Sequence, residues 1–310
     1  MFSKLITALG VKTNRGRETA YGYVFVLPWL VGLLCFTIGP MIFSFITSFA
    51  DYNMRSVEFT GLNNYIKMFT RDQLFWKSFY NTVIYSVMNI PLVTIGGVIV
   101  AVLLNKTIFG LRTFRTIYYL PSIMVGVGTY FLWMLMLDPS NGLVNVILKA
   151  IGIQGPAWLT DPAWTKPAIV VMHLWGLGGQ MLLYLARLQS IPSDYYEAAS
   201  LDGASAFQKF YKITVPLLSP IIFYNLVIGI IGSFQVFQEG YIFSGNGSGS
   251  PAGSLLFYNL LVWNNAFKNF DTGYANAMCW FLFAVVMILT VIVQKSQKKW
   301  VYYEEGDNDD

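Results

Sequence analysis

Long apolar runs, separated by short polar connections, dominate the chain. Six stretches, at roughly 21–48, 80–104, 114–137, 167–189, 217–243 and 275–295, are long enough to cross a bilayer, which takes about 20 mostly apolar residues in a helix. Prolines fall within or at the edge of several of them (Pro28, Pro40, Pro91, Pro121, Pro220). Kinks are therefore predicted, and membrane bundles tolerate these where neighbours satisfy the freed backbone groups. The pattern predicts an all-α membrane protein of about six transmembrane helices. It divides into an N-terminal segment 1–20, a transmembrane domain 21–296 and a tail 297–310.

Composition agrees with that reading. Of 310 residues, 55% are hydrophobic and 12% charged, against about 25% charged in soluble domains. Cys35 and Cys279 both lie in apolar runs and are expected to be small buried hydrophobes rather than a disulfide. The lone His173 has no clustered partner along the chain, so no metal site is expected. The apolar run after the N-terminal segment is too long for a signal-peptide core and lacks an Ala-x-Ala exit, so it reads as a retained first span.

The connections set the orientation. Of the 20 Lys and Arg, thirteen fall at the termini, around 106–115 and around 187–212, against seven in the alternate connections. Positive charge concentrates on the cytoplasmic side, which puts both termini and the 192–216 segment there; an even number of spans agrees. The acidic tail Glu304–Asp310 reads as a frayed end. Among the outer connections, 138–166 alternates turn residues with short apolar stretches and predicts a short surface helix. Residues 244–254, rich in Gly and Ser, predict a flexible loop, either a plain linker or a surface touched by a delivery protein.

The segment 192–216 is a polar island between apolar runs. Pro192 stops the preceding helix or starts the next, since proline fits only the first turn of a helix. Asp194 and Glu197 have capping-box-like spacing, as do Ser205 and Gln208. Tyr195, Ala198 and Ala199 share one face, and Phe207, Phe210 and Tyr211 form the apolar face of a second helix. Gly203 supplies a left-handed helix end, and Pro216 closes the unit. Two helices of about eight residues are marginal alone in water, so their apolar faces need a dock, on a partner or under the chain's own bundle.

Polar residues within spans tend to face a bundle interior or water. In the fourth span His173, Gly176, Gln180, Tyr184 and Arg187 recur at helical spacing. Asn225, Gly229, Gly232, Gln235 and Glu239 do so in the fifth, with Gln238 beside them; Asn81, Tyr85 and Asn89 in the second; Asn276, Cys279 and Trp280 share a side of the last. Amides and aromatic faces suit a neutral sugar, whose hydroxyls pair with amides and whose ring stacks on aromatics. Gln180, Tyr184, Asn225, Gln235, Gln238, Asn276 and Trp280 are thus candidates for a solute pathway. The competing reading is helix–helix glue, at ~0.6 kcal/mol per contact. His173 on its own reads as a satisfied structural residue, and Glu239 and Arg187 as interfacial charges. Gly178-Gly179 permits close packing or local unwinding.

The island's wording, Glu197-Ala198-Ala199 followed by Leu201-Asp202-Gly203-Ala204, resembles the EAA signature of the membrane subunits of bacterial ABC importers. Leu188-Gln189-Ser190-Ile191-Pro192, Lys212-Ile213-Thr214-Val215-Pro216, Gly273-Tyr274-Ala275-Asn276-Ala277-Met278 and Pro139-Ser140-Asn141-Gly142-Leu143-Val144-Asn145 extend the likeness over most of the chain. It resembles a carbohydrate-type permease subunit of the maltose and glycerol-phosphate group. At 244–249 it departs from that group's Thr-Gly-Gly-Gly-Pro phrase. The resemblance implies a non-enzymatic subunit in the bacterial plasma membrane, importing carbohydrates, oligosaccharides in particular. Its implied partners are a second homologous permease, two ATPase subunits, an extracytoplasmic solute-binding protein and the lipid bilayer, with no nucleic acid. It further implies that Glu197, Ala198, Ala199, Asp202 and Gly203 form a helix-turn-helix coupling loop seated in a cleft of the ATPase, which would hold the ATP and Mg. This chain has no Gly-x-x-x-x-Gly-Lys-Ser/Thr phosphate loop of its own.

Two other classes compete. A self-powered carrier or channel usually places coupling carboxylates near the bilayer centre, and no span has one at its middle. An intramembrane enzyme needs a polar catalytic cluster; neither Gly-x-Ser-x-Gly nor His-Glu-x-x-His occurs.

Overall fold

A computed structural model describes residues 14–106, 109–124 and 126–303. The start of the basic N-terminal segment and the acidic tail Glu304–Asp310 lie outside the described residues. The first span is α1 (Asn14–Leu33), a π-helical turn (Leu34–Ile38) and α2 (Gly39–Thr47), with Pro40 in the first turn of α2. Tyr23, Phe25, Trp29 and Phe36 are exposed around it, as in a helix whose surroundings are not water. The first departure from the all-α expectation follows. Strands β1 (Ala50–Tyr52) and β2 (Val57–Phe59) pair antiparallel, with Asp51 opposite Glu58. Asn53 Oδ1 accepts from the N–H groups of Arg55 and Ser56, closing the hairpin with a side-chain turn that hydropathy does not reveal.

After α3 (Asn63–Thr70) comes α4 (Gln73–Leu104), a helix of 32 residues started by Asp72, which accepts from Leu74 and Phe75 N–H. The third and fourth spans are not continuous helices. The third is α5 (Leu111–Ile123) and α6 (Val127–Met136), bent by 109°; the fourth is α8 (Thr165–Trp175) and α9 (Gly178–Ser190), bent by 48°. Glycines mark both breaks: Gly126 has φ +118°, and Gly176 and Gly178 flank Leu177. Between them α7 (Leu143–Ala150) is the short helix predicted for 138–166. The fifth span is α12 (Val215–Phe234), interrupted at Gln235–Phe237 and resumed as α13 (Gln238–Phe243). After α14 (Tyr258–Trp263) and a π-helical turn (Asn264–Lys268), the last span is α15 (Thr272–Gln297).

Helix α4 is the central pillar and packs against α8, α9, α12 and α14. Three buried clusters succeed one another along it. Phe75 joins Tyr258, Tyr274 and Met278 at one end; Tyr85 joins Trp133, Ile169 and Phe257 in the middle; Leu104 joins Met181, Tyr184 and Leu218 at the other end. Helix α9 crosses α5 so closely that a Cβ on Gly178 would lie 2.5 Å from the Tyr118 carbonyl oxygen. Of the two readings of Gly178-Gly179, Gly178 provides the close packing.

Two further expectations are corrected. Cys35 and Cys279 are exposed on the isolated chain, because a membrane helix turns apolar residues outward as well as inward. Residues 244–254 are packed rather than loose. Ser244, Gly247, Gly249 and Ser254 are buried, Gly247 N–H donates to Tyr241 O (3.1 Å) and Leu255 N–H to Gly249 O (3.2 Å). Backbone hydrogen bonds to the neighbouring helices order a stretch whose composition alone reads as mobile.

Candidate functional site

The polar island folds as a projection with a rigid turn. After Ile191 and Pro192, α10 (Ser193–Leu201) runs to Asp202 and stops at Gly203, whose φ is +75°. Ala204 N–H donates to Ala199 O (2.9 Å) and Gly203 N–H to Ser200 O (3.1 Å), the bond pair that ends a helix on a left-handed residue. The second helix, α11 (Ala206–Lys209), starts with a capping box: Ser205 N–H donates to Gln208 Oε1 (2.7 Å) and Gln208 N–H to Ser205 Oγ (3.3 Å). The same spacing at Asp194 and Glu197 makes no cap, since Pro192 occupies the cap position without a side-chain bond. Nor is the second helix free-standing. It passes through a π-helical turn (Phe210–Thr214) directly into α12, so Pro216 sits in the first turn of α12 rather than ending a unit.

Two contacts absent from the sequence reading fix the projection. Lys209 Nζ donates to Ser200 Oγ (2.6 Å), joining the two short helices. Tyr196 OH and Thr214 Oγ1 are 3.0 Å apart, tying α10 to the base of α12. Tyr196 and Phe210 face the bundle, while Tyr195 is exposed; the inward tyrosine is the neighbour of the one grouped with Ala198 and Ala199. Glu197, Ala198, Asp202 and Gly203 are exposed and Ala199 half-buried. Around them Leu201 is 91% exposed, Phe207 75% and Tyr211 66%, with the Phe207 and Tyr211 rings stacked.

A second constellation lies where α8–α9 and α12–α13 break. His173 Nε2 is 3.2 Å from Glu239 Oε1, and His173 Nδ1 is 2.8 Å from Tyr85 OH and 3.2 Å from Asn89 Oδ1. Tyr130 OH donates to Gln238 Oε1 (3.1 Å) and Glu239 Oε1 (3.3 Å); Asn89 Nδ2 donates to Ser233 Oγ (3.3 Å). Glu239 is buried within the protein. His173 is the satisfied residue the sequence suggested. Beside it lies a cleft of about 190 Å³ lined by Pro121, Tyr130, His173, Trp175 and Gly176.

The seven pathway candidates fall into three places. Gln180 and Tyr184 lie one turn apart on α9; Tyr184 is buried and Gln180 half-buried, and Gln180 Oε1 makes no hydrogen bond. In the same region, where α9 packs on α12, Asn225 Nδ2 donates to Ile221 O (3.1 Å). Gln235 and Gln238 are exposed near the His173 constellation, and the break after Phe234 ends the continuous face read along the fifth span. Asn276 donates to Thr47 Oγ1 (2.8 Å) and Trp280 Nε1 to Ser44 Oγ (3.1 Å), both toward the first span. Arg187 Nε donates to Leu217 O (3.1 Å). Among the described residues no three of His, Cys, Asp and Glu gather to hold a metal ion.

A bundle of apolar helices, with spans broken around a buried polar cluster and a stiff two-helix projection at one end, is the build of a transport permease. The chain belongs to the family of binding-protein-dependent transport system inner membrane components, whose pattern matches residues 70–301. It is 38% identical to the probable ABC transporter permease protein YesP of Bacillus subtilis, over 94% of each chain. It is 35% identical to the trehalose/maltose transport system permease protein MalF of Thermococcus litoralis, over 90% of this chain and 94% of that protein. It is 33% identical to the lactose transport system permease protein LacF of Rhizobium radiobacter, over 87% and 92% respectively. A chain from the crystal structure of a bacterial alginate ABC transporter, in complex with an alginate pentasaccharide-bound periplasmic protein, shares its fold with TM-score 0.80 at 23% identity, covering 91% of this chain and 96% of that one. The protein is thus a multi-pass membrane permease.

Proposed function

We propose that this chain forms one half of the translocation pathway of an ATP-driven importer of carbohydrates, oligosaccharides in particular. A second, homologous permease completes the pathway. Two ATPase subunits hold the ATP and Mg, and an extracytoplasmic binding protein delivers the solute. Both termini and the projection face the cytoplasm, on the strength of the thirteen-to-seven division of Lys and Arg. The names of the lactose and trehalose/maltose relatives support the substrate class.

One observation carries the coupling role. The projection presents Leu201, Phe207 and Tyr211 outward while its second helix runs unbroken into α12. Exposed aromatic and aliphatic groups on a stiff base suit a socket on a partner. A push on them turns α12 as a lever, and α12 leads to the break at Gln235–Phe237. ATPase closure then exchanges outward and inward access by rigid-body motion. Gly203→Val, which forces a β-branched residue into φ +75°, and Glu197→Lys are each expected to abolish solute-stimulated ATPase in the purified complex, with the binding protein's own solute affinity unchanged. Wild-type stimulation in both variants sinks the coupling assignment.

A further inference from the structure

We infer that α7 and the loop after it form a binding site for an anionic phospholipid at the bilayer surface, at the end of the bundle away from the projection. The inference uses the membrane location of the chain and is independent of the solute it carries.

Helix α7 has three distinct sides. Val144 and Leu148, four apart, pack against the buried cluster of Tyr85 and Trp133. Leu143, Val146 and Ile147, at i, i+3 and i+4, form a second side, extended by Ile151; each is more than half exposed. Asn145 and Lys149, four apart, form the third, opposite Ile147. An exposed aliphatic side opposite a polar one is the pattern of a helix lying in a membrane surface. A subunit contact is expected to offer Trp, Tyr or Arg, and the exposed aliphatic side of α7 has none.

Its depth fits. Leu104, where α4 ends beside the projection, and Tyr85 are nineteen positions apart on one helix. That is about 29 Å, close to the ~30 Å of a hydrocarbon core. With Leu104 near one boundary, the level of Tyr85 is near the other, and Val144 and Leu148 hold α7 at that level. The aliphatic side of α7 thereby continues the exposed apolar surface of α6, on which Phe131, Leu132 and Leu135 face outward.

A cavity of about 700 Å³ opens at the border between the polar and aliphatic sides, and its lining includes Pro139, Ser140, Val146, Lys149, Ile153 and Gln154. Asn145 fixes its wall: Nδ2 donates to Pro139 O (3.2 Å) and Pro156 O (3.1 Å), and Oδ1 accepts from Trp158 Nε1 (2.7 Å). The remaining polar groups are unspent. Among the described residues, the side chains of Ser140, Lys149 and Gln154 have no hydrogen-bond or ion-pair partner. The adjoining Asp138 carboxylate accepts from the N–H groups of Ser140 (3.0 Å) and Asn141 (2.8 Å) in its own turn and does not line the cavity. An ammonium, a hydroxyl and a carboxamide beside Val146 and Ile153 match a phosphate diester with acyl chains below it. No lining residue comes from α4, α8, α9 or α12, which places the cavity outside the polar cluster around His173.

The test uses the whole transporter, with its partner subunits, in phosphatidylcholine vesicles with and without phosphatidylglycerol. In a Cys35→Ser, Cys279→Ser background, a nitroxide on Ile147→Cys should be relaxed by oxygen more than by a water-soluble nickel chelate, and one on Lys149→Cys the reverse. Nickel access at both positions, or shielding of both from either reagent as a subunit contact predicts, overturns the inference. Phosphatidylglycerol with a photoreactive headgroup should label peptide 139–155. Labelling should fall about fivefold in Lys149→Gln, the worth of one lysine near an anionic surface, and persist in Lys149→Arg, with labelling elsewhere on the chain unchanged as a sign that both variants fold. Equal labelling by the phosphatidylcholine analogue, or displacement by free glycerol phosphate as a soluble-phosphate site predicts, also overturns it. None of these results bears on carbohydrate import, which uptake in the same vesicles reads separately.

Discussion

Glu239 is a buried carboxylate whose side-chain partners come from two other helices. His173 lies 66 positions away and Tyr130 109 positions away along the chain, while Tyr85 and Asn89 hold the far side of the imidazole. Removing the imidazole leaves the buried carboxylate short of a hydrogen-bond partner, at a cost of about 1–3 kcal/mol. His173→Ala is therefore expected to lower the thermal midpoint of the purified complex clearly more than Glu239→Gln, which keeps the shape and most hydrogen bonds. Equal shifts would show that the pair contributes packing only. At this scale the sequence identified residue types better than directions. The isolation of His173 suggested a residue satisfied within the fold, and so it is. Nothing in the local pattern decides that Tyr196 turns inward and Tyr195 outward, because the start of α10, set by Pro192, fixes the phase of the helix.

The helices themselves were legible as apolar runs, and their breaks only in part. Gly178-Gly179 marked a weak point, but the 48° bend is decided by what α9 packs against. A Cβ on Gly178 meets the Tyr118 carbonyl oxygen, the Tyr119 Cα and Ser122 Oγ, whereas one on Gly179 meets nothing within 4 Å. Gly178→Leu should therefore push α9 off α5 and reduce the yield of monodisperse complex in gel filtration several-fold. Gly179→Ala should be close to wild type. Comparable behaviour of the two variants would dismiss the close crossing. The two-helix projection was the most legible element. Its Ser205–Gln208 box and its glycine turn form from neighbours a few residues apart, so local chemistry suffices. The fusion of its second helix to α12 was hidden, because Pro216 is as compatible with a first helical turn as with a stop.

For the whole molecule, the surface is the informative feature. The first span is exposed nearly all round, and the projection displays Leu201, Phe207 and Tyr211. Under the proposed function, part of this surface meets lipid and part meets other subunits. Affinity purification from a native membrane, followed by mass spectrometry, is expected to recover a second permease and an ATPase in stoichiometric amounts. A chain that purifies alone and still transports would restore the self-powered carrier. The hairpin at 50–59 and the ordered loop at 244–254 belong to this scale too, since both are held by contacts with distant helices.

The sequence by itself determined the membrane-spanning runs, the charge asymmetry between their connections, the helix–glycine–helix island and the family, because each is written in neighbouring residues. Tertiary structure alone decided which polar side chains meet. It buried Glu239 against His173, sent Asn276 and Trp280 to the first span, left Gln180 Oε1 unpaired, and brought Lys77 and the start of α8 to the same loop. The physical reason is common to all four. A side chain's hydrogen-bonding partner is set by helix crossings and by the phase at which each helix starts. Those quantities come from packing along α4, not from the spacing of residues along any one helix.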